Sequence, residues 1–295
     1  MNTDIRIDWQ SGMEITPQTF IDMENNNAEY RMLVRKMIAA KNFGIIPRTK
    51  FSISPEVFNG TLLLKQMDCN VLLPTGQVVV VQMSNTNVTL NIPPKDVAEL
   101  FLTVELGDKV NNFVRGGIPI ASNEIKFDIK SLDEIKTAIP LLKLVQNDGN
   151  WSVYDGYIMP VMTVRSSVKL LEKLDILKQS VQKIMEHENI NIMESRVMAQ
   201  VLIDQLTGFS VDDSLRELVL LCKRIAAVLG YAVQKHKAEL PAPNIMNVEP
   251  YLDAFTQFIE DMSVAMNDLK PMMVEVKEKE PEPEQPVVDE WMPMI

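Results

Sequence analysis

Residues Leu62–Met83 read LLLKQMDCNVLLPTGQVVVVQM. Two apolar runs, Leu62–Leu73 and Gln77–Met83, flank Pro74, Thr75 and Gly76, and the second carries Val78, Val79, Val80 and Val81. Stiff β-branched residues on either side of a Pro and Gly break make two strands joined by a tight turn. The same texture of short apolar or alternating runs, cut by Pro, Gly and Asn, extends from about Phe51 to Pro160. Further strands are expected at Val88–Ile92, Leu100–Leu106, Glu124–Ile129 and Ile139–Val145. Such spacing predicts an antiparallel β-sandwich or barrel. Its edges need to be paired or covered, and a partner subunit is one way of covering them.

On the N-terminal side a helix is punctuated at both ends. Thr16 can cap it, Pro17 suits its first position, and Gly44 with Pro47 is expected to end it. Phe20, Met23, Tyr30, Val34 and Met37 build one apolar stripe, which Asn25, Asn26 and Asn27 interrupt. After Val164 the periodicity is helical to about Lys270. Leu170, Leu174, Leu177, Val181 and Ile184 step by four and three, the repeat of a coiled-coil seam. That seam suits either packing within the chain or self-association, and it is the candidate oligomerisation surface. A second helix is expected over Glu194–Leu206, and a third follows from Leu215, Leu218, Val219, Cys222, Ile225, Ala226 and Leu229. A last one opens at Pro250 and carries Leu252, Phe255, Ile259, Met262, Met266 and Leu269. The fold class is therefore α+β. It comprises residues 1–165 as a leading helix with a β-rich domain, 166–270 as a helical bundle, and 271–295 as an acidic, Pro-rich tail.

The chain has 295 residues, 46% hydrophobic and 23% charged, with a net charge of −11. A chain this long buries enough surface to fold without disulfides or metal. Its negative balance disfavours nucleic acid and anionic membranes as partners. From Glu275 to Ile295 seven acidic residues face two lysines, so this segment holds −5 of the −11. That composition predicts disorder. Val287, Val288, Trp291, Met292, Met294 and Ile295 nevertheless form an apolar cluster that a solubilising tail does not need, and they are the candidate docking peptide. The opening residues lack the order of a secretory signal, no run reaches the ~18 apolar residues of a membrane span, and only Cys69 and Cys222 occur. A cytoplasmic protein is expected.

No catalytic constellation emerges. His187 and Glu188 begin like a zinc-protease helix, but Asn191 stands where the second ligand belongs. Cys69 and Cys222 lie in apolar contexts that suit core packing rather than nucleophilic attack. Gly116 and Gly117 are the one adjacent glycine pair, with no phosphate-cradling motif. Asp212 and Asp213 beside Ser210 are explained by capping of the third helix. No catalytic residue, cofactor or metal is expected.

Two segments carry a resemblance. Trp9, Gly12, Met13, Pro17, Gln18 and Phe20 match the opening of the TssK family, the trimeric baseplate component of bacterial type VI secretion systems; Ser11 and Thr19 replace the family's Glu and His. Ile139-Pro140-Leu141, Trp151, Tyr157-Ile158-Met159-Pro160 and Ser166-Ser167 before a Leu-rich helix resemble a second family segment, with Met159 in place of a proline. The resemblance covers roughly Ile5 to Leu269. It implies a β domain akin to the shoulder of phage receptor-binding proteins, attached to the baseplate wedge made by TssF and TssG. It also implies a trimerising helical region and a C-terminal domain that meets an inner-membrane anchoring complex. After Leu269 only 26 residues remain, so a shortened form without that domain is expected. The six N-terminal motif residues are then a wedge interface or fold-forming, because none does chemistry at neutral pH. The implied function is a non-enzymatic, homotrimeric baseplate adaptor. The alternatives are a phage-like baseplate or receptor-binding protein, or a hydrolase or ligand-binding protein with a pocket in its β domain.

Overall fold

A computed structural model describes residues 14–40, 42–83, 87–115, 118–193, 195–234 and 238–269, without the side chains of 109–122. Helix α1, Pro17–Ala39, comes first. Strands β1 (Gly44–Ile45), β2 (Ser52–Phe58), β3 (Thr61–Leu72), β4 (Val78–Met83) and β5 (Val88–Asn91) form one antiparallel sheet. Strands β6 (Glu99–Arg115), β7 (Ile118–Lys130), β8 (Ile139–Asn147) and β9 (Asn150–Val153) form a second, ordered β7-β6-β8-β9. Helices α2 (Val168–Met185), α3 (Arg196–Thr207), α4 (Leu215–Leu229) and α5 (Glu249–Ala265) follow. Helix, antiparallel sheets and later helices are the expected α+β order.

The hairpin around Thr75 organises the first sheet. β3 pairs with β2 and then β1 along one edge, and with β5 and β4 along the other. Its pairing with β2 slips between Ser54 and Pro55, where Lys65 is the extra residue. The bulge explains why the apolar run looks continuous. Leu62 and Leu64 face the core before it, Met67, Cys69 and Val71 after it, so the buried parity changes with the slip. In β4, Val79 and Val81 are buried while Val80 is exposed.

The second sheet is a middle layer. Leu100, Leu102 and Val104 share the core with β3 and β4, while Phe101 and Lys143, paired across β6 and β8, face Tyr157 and Glu249, the first residue of α5. Burial on both faces makes Ile139–Leu144 buried throughout. The apolar core is continuous from Ile45 to Met266, across the 3-10 turn Val164–Ser166 where the expected boundary at 165/166 falls.

Two local expectations are corrected. α1 ends at Ala40, not at Gly44. Gly44 instead has φ +117° and lets Pro160 approach, since a Cβ there would lie 2.2 Å from the Pro160 carbonyl oxygen. Ser214, not Ser210, caps α4, in a box with Glu217; Ser210, Asp212 and Asp213 close their own turn.

The seam Leu170, Leu174, Leu177, Val181 and Ile184 follows the first of its two readings, packing within the chain. All five side chains are 0–1% exposed within one chain, packed where α2 meets α3 and α5. A 3.5-residue step serves an intrachain bundle as well as a coiled coil, and here the chain closes the seam itself.

Candidate interaction surface

Two features stand out: a helix that exposes its apolar stripe, and a buried polar clamp that fixes the helical bundle to the sheets.

Sequence-local forces set up α1. The Thr16 hydroxyl accepts from the Thr19 N–H at 3.3 Å, and the Thr19 hydroxyl accepts from the Thr16 N–H at 3.2 Å. Thr19, the departure from the family motif, thus completes a capping box. Pro17 holds the first helical position and Gln18 donates to Asp22 at 2.8 Å. The far end is anchored. Ala39 is buried, the Lys36 backbone lies against Gly76 of the β3–β4 turn, and Arg216 of α4 donates to the Ala40 carbonyl at 3.3 Å.

Among the described residues nothing covers the apolar stripe between its ends. Phe20 is 54% exposed, Tyr30 65% and Met37 67%, with Met23, Val34 and Ile38 on the same side. These six side chains at about half exposure present on the order of 500 Å² of apolar surface, at the upper end of patches on monomers, which marks an interaction site. On α3, Val197, Met198 and Val201 are also exposed. Of the N-terminal motif, Pro17, Gln18 and Phe20 stand at the start of α1; Trp9, Gly12 and Met13 lie outside the described residues, as do Val287, Val288, Trp291, Met292, Met294 and Ile295.

The clamp escaped sequence reading because its members are far apart in the chain. The Lys143 ammonium sits 2.8 Å from Glu99 and 3.3 Å from Glu249, whose second oxygen accepts from the Ile158 N–H at 3.1 Å. Tyr157 donates to the Met246 carbonyl at 2.6 Å and meets Phe101 edge-on, and Lys143 lies 5.0 Å from the Tyr154 ring centre. Burial works against the charge on Lys143, but the bond to Glu99 and the charges of Glu249 and Glu99 outweigh it and raise the pKa. Burial raises the Glu249 carboxyl, and the Ile158 N–H and Lys143 offset only part of that. The only sequence signal was Lys143 in an otherwise apolar strand.

Candidates for chemistry resolve into structure. His187 accepts from the Asn189 N–H through Nδ1, which places its proton on Nε2, 3.2 Å from Asn267. Burial pushes the thiols of Cys69 and Cys222 up to about 12. Among the described residues no group of three metal-ligating side chains converges, and no helix is long and apolar enough to cross a membrane. A depression of about 470 Å³ lies between α3 and α4; its Asp213 and Glu217 are held by turn and cap bonds.

This architecture, a capped helix, two antiparallel sheets and a helical bundle clamped to them, is the TssK fold. A crystal structure of TssK aligns with 90% of this chain and 70% of its own length at 12% identity and a TM-score of 0.58. A chain of the type VI secretion system TssK-TssF-TssG baseplate subcomplex aligns over its full length and 88% of this one, at 16% identity and a TM-score of 0.56. TssK from the type VI secretion system of EAEC, in complex with a nanobody, covers 82% of this chain and 68% of its own length at 14% identity and a TM-score of 0.54. No protein-family model and no curated protein matches the sequence.

Proposed function

We propose that the chain is a structural, non-enzymatic component of a type VI secretion baseplate, which self-associates and binds wedge proteins like TssF and TssG. The observation that carries this reading is the alignment with a TssK-fold chain of the TssK-TssF-TssG subcomplex, complete for that chain. The exposed apolar stripe supports it, because assembly is what such a surface is for. In this reading Pro17, Gln18 and Phe20 contact the wedge from the start of α1. Self-association, as a homotrimer, uses exposed apolar residues such as Val197, Met198 and Val201 in place of the enclosed seam of α2. The adaptor role toward an inner-membrane anchoring complex follows from the sequence resemblance.

Co-purification from the native source tests the proposal. TssF- and TssG-like proteins should accompany the chain, and Phe20→Ser should reduce their recovery without changing the fold. Recovery without any wedge protein would reject it.

A further inference from the structure

The stripe on α1 is not uniform. Asn25, Asn26 and Asn27 divide it, leaving Phe20 and Met23 before the break and Tyr30, Val34, Met37 and Ile38 after it. The charges divide at the same place. Asp22, Glu24 and Glu29 lie in the first part or at the break, whereas from Tyr30 to Ala40 the helix carries Arg31, Arg35 and Lys36 and no acid. Arg31 and Arg35 thus border the exposed apolar strip of the second half of α1, whereas Lys36 lies on the anchored side against Gly76.

One segment of the same chain has the complementary chemistry. Val287–Ile295 holds six apolar residues, among them Trp291, around Asp289 and Glu290, and it follows the acidic run Glu275–Glu284. We propose that Val287–Ile295 docks on the second half of α1 of its own chain, with Trp291 and Met292 against Tyr30, Val34 and Met37 and the acidic run beside Arg31 and Arg35. The size fits. The second half of α1 offers on the order of 350 Å², less than half of the ~800 Å² per partner of a standard protein interface but sufficient for a nine-residue peptide.

The tether also fits. The end of α5 is bonded beside the end of α2, through Asn189 to the Met266 carbonyl at 2.9 Å. The start of α2 lies by the start of α4, through Val164 N–H to the Asp213 carbonyl at 3.1 Å, and Arg216 there reaches Ala40. Leu269 is therefore about one α2 length, roughly 27 Å, from the end of α1. Residues 270–286 span up to about 56 Å when extended, ample to reach Tyr30–Ile38. The contact concerns a different part of α1 from Phe20, so it does not depend on the wedge assignment.

Hydrogen exchange on the full chain, on a chain lacking Val287–Ile295 and on Met37→Asp tests the contact. Both changes should speed exchange of the Tyr30–Ile38 amides about tenfold and leave β3 untouched. A fluorescent peptide of residues 280–295 should bind the shortened chain, and Arg31→Glu with Arg35→Glu should weaken it about tenfold, as should added salt. In an Arg35→Lys variant, carbodiimide links between position 35 and Glu282 or Glu284, in a mixture of isotopically light and heavy chains, should join residues of one chain. Unchanged exchange at Tyr30–Ile38 on deletion, as when a second copy covers the strip, or links only between light and heavy chains, would overturn the proposal.

Discussion

Replacing Lys143 by Met removes the central charge of the clamp while keeping its length and apolar stem. Glu249, with 7% of its side chain exposed, then keeps backbone N–H partners such as Ile158 but no counter-charge among the described residues, whereas Glu99, 44% exposed, turns to water. Leaving one member of a buried pair uncompensated costs about 3–5 kcal/mol. For a chain of 295 residues that corresponds to a fall in Tm of roughly 5–8 °C. Lys143→Met with Glu249→Gln should recover much of the loss, since no charge is then stranded. The sign with pH follows from Glu249. Its folded carboxyl is already raised above 4.5 by burial, and losing Lys143 raises it further. The folded variant then binds a proton more tightly than the unfolded one, so its stability declines as pH rises through the raised value. The penalty of Lys143→Met should therefore be smaller at pH 4 than at pH 8. Lys143 itself is raised above 10.5, so its contribution in the parent is complete below that value and is lost as pH rises through the higher folded one. Urea unfolding of the four-member cycle at both pH values measures all of this. A loss below about 1 kcal/mol, or additive single changes, would refute the clamp as a coupled unit.

Other residues give sharp outcomes. Leu177→Asp should unfold the bundle rather than dissociate intact subunits, because Leu177 is 0% exposed within one chain; loss of helical circular dichroism checks it. Gly44→Ala should cost at least about 2 kcal/mol, because the added Cβ would overlap the Pro160 carbonyl at a positive φ, and thermal melts read the loss. Both thiols, raised to about 12 by burial, should resist a disulfide reagent at pH 8 in the folded chain and react at once in guanidinium.

What the sequence revealed was what is local. The Leu62–Met83 hairpin is written in β-branched residues and a Pro-Thr-Gly turn, and the helix caps at Thr16 and Pro17 are set by neighbours three residues apart. β2 escaped because Pro55 breaks its run, which a bulge against β3 accommodates, and β9 is too short to show a period. The seam of α2 had the right period but not its partner, since periodicity says that a face is buried and not by whom. The stripe of α1 was legible as apolar, but only the folded chain shows that it stands exposed. Lys143 and Glu249 are 106 residues apart, so only the folded chain brings them together.

The baseplate role remains the proposal built on the TssK fold. It is tested most directly by mixing the purified chain with the TssF- and TssG-like proteins of its source and measuring the mass of the product. A homotrimer of this chain in stable association with both proteins is the predicted result. A monomer that leaves them free would contradict the account.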